Sequence, residues 1–433
     1  MKFKIIFFCL FVPLFVCAQS LNELVKEGLR NNYLLKSGSS KINRSLKEED
    51  ATDNYPAPSV KFEVSQIPLS SFDLINSPVS QSISLSQMFP IGGKQEKMRN
   101  MKSAETNLLK ADLRMEQNKI AMEISSNYYQ LWNINKSIVQ KEKYISILTS
   151  LGELYKSRAG LPEDSPLNLL MLENELNVYK NTIKLLEAEK YRFSISINRL
   201  LGRTIESPQV SPQENTDGPV DEVGTTDSIS VLISSNPEIS KSHRMREMLE
   251  AEIKANNAEL IPDLMLEGMI MRMPQGMLVT EKALSGQQHG ITMWKPEVMY
   301  SVMASITLPF APWSIGTITQ KEEALAAGLS SVDYETAEMR RSIETEIKTL
   351  EEKIKSYKAI VKNYENSVIP SAESVIEARK KTLLTDRNAV YNILNELKML
   401  NMAETDYYMY KSELMMNRAE LDIMLGKYLN NGE

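Results

Sequence analysis

The chain has 433 residues, with 56 acidic and 50 basic side chains, a formal net charge of −6, and its Lys and Arg dispersed along the length. That balance excludes nucleic acid as a partner held by a basic surface. Both cysteines, Cys9 and Cys17, fall in the first twenty residues, which excludes a disulfide framework or a thiolate metal centre in the remainder.

The opening stretch MKFKIIFFCLFVPLFVCAQS places Lys2 and Lys4 before an apolar run from Ile5 to Ala18. The run is too short for a retained membrane helix, so residues 1–18 are expected to be a secretory signal, with the mature chain starting near Gln19. Acylation of Cys17 is the alternative fate of the leader; Leu14 favours it and Val16 does not. No later apolar run reaches about 18 residues, so a membrane crossing would have to be made by strands.

After the leader one pattern occurs twice. SISL at 82–85 returns as SITL at 305–308, an offset of 223, and RLLGR at 199–203 returns as IMLGK at 423–427, an offset of 224. The chain is therefore a tandem repeat, with a first copy over 19–208, an exposed Pro-, Gly- and acid-rich linker over 209–228, and a second copy over 229–433. PSVKFE at 58–63 and PDLMLE at 262–267 are offset by only 204, so the second copy is expected to carry a longer, Met-rich loop between its two strands.

Each copy runs helix, two short alternating segments, two long helices. In the first long helix Met101, Leu108, Met115, Met122 and Tyr129 recur every seven residues, flanked by Ala104, Ala111 and Trp132, which predicts a heptad seam against a partner helix. The helix is expected from about 95 to 157, and its counterpart from about 319 to 380.

Within the segments, Val60, Phe62 and Val64 alternate with Lys61, Glu63 and Ser65, and Ile83 and Leu85 alternate with Ser82, Ser84 and Ser86. In the second copy Leu264, Leu266 and Ile270 oppose Asp263 and Glu267, while Tyr300, Val302, Ala304, Ile306 and Leu308 oppose Ser301, Ser305 and Thr307. Each strand has one greasy and one wet face, as an outer-membrane strand has. Four strands cannot close a membrane barrel, whose smallest form has about eight, so a barrel would be shared among chains.

Met265, Met269, Met271 and Met273 have the parity of the wet face, as do Met299 and Met303; Met277, His289 and Met293 are placed in the loop between the strands. Lipid contact does not account for thioethers on a wet face, whereas Cu(I) or Ag(I) suits sulfur ligands, held loosely enough to be conducted. Flexible filling at contacts between chains is the alternative use of Met. With two histidines and no HExxH, Gly-x-Ser-x-Gly or Walker pattern, no catalytic centre is visible; GGKQ lacks the first Gly and the hydroxyl of a phosphate loop.

The signal, the repeat, the two strands and two long helices per copy, FPIGGK and FAPWSIG between strand and helix, and the closing LLG and MLG together resemble the TolC-type outer membrane efflux channels. The resemblance implies a mainly α fold with a small β part: long coiled helices forming an α-barrel, and four strands per chain given to a shared transmembrane β-barrel of a homotrimer. It also implies outer membrane lipid around the barrel, a periplasmic adaptor and an inner membrane pump as partners, and no enzymatic activity. At the helix tips it implies an adaptor contact at Tyr155, Arg158 and Gly160 of LYKSRAG, and places Asn392 and Asn395 at the periplasmic entrance, where the family often has aspartates; a solvated helix face is the alternative use of the two amides. With the methionines, the chain is similar to the outer component of a heavy-metal export system. The alternatives are the same duct for divalent metals or organic toxins, and a soluble periplasmic coiled-coil scaffold or adaptor.

Overall fold

A computed structural model describes residues 19–67, 69, 73–76, 78–157, 165–213, 236–280, 292–382 and 389–426. Helices α1 (Leu21–Asn31) and α2 (Tyr33–Ala51) lead to strands β1 (Ser59–Ser65) and β2 (Ser80–Pro90), then to α3 (Lys94–Ser157) and α4 (Ser165–Leu200). The order recurs as α5 (Pro237–Ala258), β3 (Asp263–Thr280), β4 (Thr292–Ile306), α6 (Pro312–Asn363), a π-helical turn (Tyr364–Val368), α7 (Ile369–Thr382) and α8 (Ala389–Met424). The fold is thus mainly helical with one small antiparallel sheet, in the order β1-β2-β3-β4.

Local chemistry sets the helix boundaries. Ser20 opens α1 with a capping box: its hydroxyl accepts from the Glu23 N–H at 3.3 Å, and the Glu23 carboxylate accepts from the Ser20 N–H at 3.2 Å. Where a single helix was expected, buried Asn32 divides α1 from α2. Its amide donates to the Leu200 carbonyl at 2.8 Å and its oxygen accepts from the Leu34 N–H at 2.8 Å. After α4 the chain closes a Schellman turn, with the Gly202 N–H on the Arg199 carbonyl and the Arg203 N–H on that of Asn198, at 3.1 and 2.9 Å. Pro370 explains the π turn. It has no N–H to offer Asn366, and the helix widens so that the Ile369 N–H reaches the Tyr364 carbonyl.

The chain divides into two compact units, and each draws on both sequence copies. One comprises Met1–Ser39, Ala111–Lys241 and Ala337–Glu433. Its described core includes Leu24, Val25, Ile120, Ile124, Tyr128, Leu131, Ile197 and Leu201 in one cluster, and Tyr144, Leu148, Leu172, Ile376, Leu394 and Leu397 in another. The buried stripe of α3 here is Ile120, Ala121, Ile124, Tyr128 and Leu131. The expected heptad residues Met101, Leu108, Met115, Met122 and Tyr129 are only half-buried, because α3 turns a neighbouring face to the core. The reading of 209–228 as exposed fails at its start: Val210 is 2% exposed within the first cluster, Pro212 is buried, and the Gln19 N–H donates to the Ser211 carbonyl at 3.1 Å. Residues 214–228 lie outside the described set.

The other unit comprises Ser40–Lys110 and Ser242–Thr336. The same device joins a helix pair in each copy. Ser45 of α2 meets Thr106 of α3 at 2.8 Å, and Arg99 of α3 pairs with Asp53 in the turn after α2 at 3.1 Å. Asn256 donates to the Ile318 carbonyl at 2.9 Å and Arg246 pairs with Asp333 at 2.8 Å between α5 and α6. The extra residues of the second copy lengthen its strands rather than its loop, giving β3 18 residues and β4 15, against 7 and 11 for β1 and β2. Met277 and Met293 therefore belong to strands, opposite Lys295 and Val279, and not to a loop as expected. The backbone finds partners along the whole hairpin, which an open loop would leave to solvent.

Candidate functional site

The sheet register decides what shares a face. Phe62 stands opposite Ile83, Ile83 opposite Ile270, and Ile270 opposite Tyr300; one step along, Val60 leads to Leu85, Gly268 and Val302. Across four strands these form one continuous apolar surface, and it faces outward. Phe62 is 76% exposed, Tyr300 86% and Val302 78%, with Val60, Val64, Ile83, Leu85, Leu266, Ile270, Val298 and Ile306 also exposed. Such a patch on a water-facing sheet would be an aggregation hazard, and its breadth marks it for lipid or another protein. Arg272, beside Gln81 and Val298, brings the first charge at one end of the surface.

The opposite face is built from the alternate residues. Lys61 leads to Ser84, Met269 and Ser301; Glu63 leads to Ser82, Met271 and Met299; and Ser59 leads to Ser86, Glu267 and Met303. The six expected methionines lie on this face. The register brings Met271 beside Met299 and sets Met303 against Glu267, Met265 against Ser305, Met269 against Ser301 and Met273 against Glu297. It also adds Met88, directly opposite Met265, which the sequence reading did not single out. Nothing in the local sequence places Met88 near Met265; only strand pairing does. On β3 the residues of this face are half-buried while their neighbours Leu266, Gly268, Ile270 and Arg272 are exposed. At one end of the face Lys94 bridges Asp263 at 3.0 Å and Glu259 at 3.3 Å, fixing the start of α3 to β3.

Directly opposed side chains on a sheet have Cβ atoms about 5 Å apart, so Met88–Met265 and Met271–Met299 are pairs whose sulfurs reach one another's range. The pairs are separated by six residues of β3, roughly 20 Å. Among the described residues no three His, Cys, Asp or Glu side chains converge, so the soft thioethers stand without a harder ligand cluster beside them. His289 lies outside the described residues.

The helical tips are described in part. Arg158 and Gly160 lie outside the described residues, and Tyr155 is placed only as a position in α3. Asn392 and Asn395 fall in the first turns of α8, Asn392 half-buried and Asn395 exposed. Their neighbours Ile393, Leu394 and Leu397 are buried against Tyr144 and Leu172, so the core holds the turn that carries both amides.

Deeper along the same helices lies a buried polar network that no local sequence pattern marks. Lys141 donates to Asn401 and, at 3.2 Å, to Thr405, and its ammonium stands 5.6 Å from the centre of the Tyr179 ring. Glu404 accepts from Tyr144 at 2.8 Å and from Lys143 at 3.2 Å. Burial lowers the Lys141 pKa against the pull of Glu404, and burial pushes the Tyr179 hydroxyl up to about 12. Lys141, Tyr144 and Glu404 are spent on one another in the interior of the bundle, and Lys143 joins them from the exposed side.

By sequence the chain matches no family model and no curated protein. By structure it is similar to CusC, described as forming a transmembrane channel, at 13% identity and a TM-score of 0.74 over 94% of this chain and 91% of that one. It is similar to a membrane protein from Pseudomonas aeruginosa at 16% identity and a TM-score of 0.73, covering 94% and 90%. It is also similar to the outer membrane channel MtrE of Neisseria gonorrhoeae at 14% identity and a TM-score of 0.71, covering 94% and 88%. The fold is that of the TolC-type outer membrane channels.

Proposed function

We propose that the chain is one third of a passive outer membrane exit duct, most of its helical length reaching into the periplasm. The observation that carries this reading is the sheet: one face predominantly apolar and exposed, with Arg272 at one end, the other made of Ser, Lys, Glu and Met, with strands β1 and β4 at its edges. An edge strand left open invites another strand, and in a bilayer every backbone group must be paired, so these edges have to meet those of other chains. Three copies supply twelve strands. A soluble scaffold has no use for the apolar face. The fold of the outer membrane channels supports the same reading, and with it an adaptor and an inner membrane pump as partners, the duct itself performing no chemistry.

For cargo we propose Cu(I) or Ag(I), with Met265, Met269, Met271, Met273, Met299 and Met303 on the wet face, Met88 joining them, and Met277, His289 and Met293 as weaker candidates. Thioethers bind soft cations and exchange them readily, and several weak sites in series suit conduction better than one tight site. Asn392 and Asn395 give a neutral periplasmic entrance, and Tyr155, Arg158 and Gly160 the adaptor contact.

The test is copper and silver tolerance in cells with the native gene, a deletion, and a chain carrying leucine at the six methionines, at matched outer membrane levels. Sensitivity of both altered strains supports the soft-metal path. Sensitivity of the deletion alone makes the methionines filler. Tolerance in both assigns the duct to another cargo, such as divalent metals or organic toxins.

A further inference from the structure

A second set of thioethers is exposed on α8. Met399 is 64% exposed, Met402 66% and Met409 40%. They alternate with Asn395, Asp406 and Glu413 at steps of three and four residues, so that 395, 399, 402, 406, 409 and 413 follow one face of the helix. The opposite face, with Ile393, Leu394, Leu397 and Leu400, is the one buried in the helical core. Asp406 lies near the Tyr364 hydroxyl, and its charge adds to the burial that raises the Tyr364 pKa.

We infer that this face of α8 is a binding site for soft monovalent cations, Met399 and Met402 together holding one ion and Asp406 and Met409 receiving it a turn farther on. The inference rests on the exit-duct reading and adds a site for the same cargo on a helix. Residues three apart on a helix have Cβ atoms about 5–6 Å apart, close enough for two flexible thioethers to share a two-coordinate ion. From Met399 to Met409 the helix rises roughly 15 Å, so the sulfurs form stations and not a single cage. Use of the face as an apolar contact between chains fits poorly, because acidic side chains are depleted from interface cores and this stripe interleaves Asp406 and Glu413 with its methionines. The face begins at Asn395, where the entrance is proposed, so a cation passing the tip meets the stripe next.

The experiment uses the purified full chain, assembled in detergent and treated with dilute hydrogen peroxide alone, with Ag(I), or with Zn(II). Peptide mass spectrometry then reads sulfoxide formation at each methionine. A bound thioether lone pair is withheld from the oxidant, so Ag(I) should slow oxidation of Met399 and Met402 at least about threefold, and Zn(II) should not. In a Met402→Leu chain, close in volume and exposed in position, the protection at Met399 should be lost. Protection confined to the sheet methionines overturns the α8 site and leaves the proposed cargo standing. Protection confined to α8 supports the site and removes the sheet from the path. Absence of Ag(I) protection everywhere overturns both, and slow oxidation of Met399 and Met402 without any metal shows the face buried and overturns the site.

Discussion

At Gly202 the backbone takes φ +70°, and a Cβ there would lie 2.5 Å from the Asn31 carbonyl oxygen. Gly202→Ala therefore faces both a left-handed conformation and a backbone clash, and should lower unfolding stability by about 1–3 kcal/mol in denaturant titration. Glu420 is a different kind of site. Burial, then the nearby Glu346 and Glu413, raise its pKa against the pull of Lys353. The folded state thus binds this proton more tightly than the unfolded chain, and the cost of the charge is present above the raised pKa and disappears as pH falls toward 4.5. Glu420→Gln should raise the melting temperature at pH 7, with a gain that shrinks steadily toward pH 4.5. A gain independent of pH would contradict that assignment. The sequence marked Gly202 only as part of the repeated RLLGR, and its turn against Asn31 needed the structure. Asn32 and the Lys141–Glu404 network were not legible in it, since their partners lie more than 160 residues away and no local pattern marks them.

The strands show how far a period of two can carry. Alternation alone assigned the apolar and wet faces of all four, and the register keeps that assignment from Leu264 to Met271, with Arg272 the first charge on the apolar side. What alternation could not supply was the neighbour of each residue, so Met88 was missed, and an insertion that extends two strands was taken for a loop. The helices show the converse. The seven-residue spacing of Met101 to Tyr129 is real, but periodicity names a stripe without saying which partner meets it, and the buried stripe of α3 is another. The faces have a direct test. Val302→Arg puts a charge on the apolar surface and should cost about 2–4 kcal/mol of membrane stability near mid-bilayer, reducing assembled protein in the outer membrane fraction. Ser305→Arg, on the other face, should assemble normally.

For the molecule as a whole, the sequence exposed the repeat, and the structure repeats its order of elements; four strands are too few to close a membrane barrel and no helix among the described residues is apolar enough to span a bilayer, so a spanning barrel would need strands from other chains. The sequence could not show that the two compact units each combine parts of both copies, which depends on contacts between distant segments. The central claim is that β1 of one chain pairs with β4 of the next in the outer membrane. No cysteine follows Cys17, so introduced pairs have no native thiols beyond residue 17 to compete with them. The measurement is disulfide trapping in intact cells, with Cys at Val60, Phe62 or Val64 combined with Cys at Val302, where Cα atoms within about 4.4–6.8 Å can bridge. At least one combination should give a covalent trimer in the outer membrane fraction, and each single-Cys chain should give none. Monomers from every combination, with the protein recovered in the soluble periplasm, would contradict it.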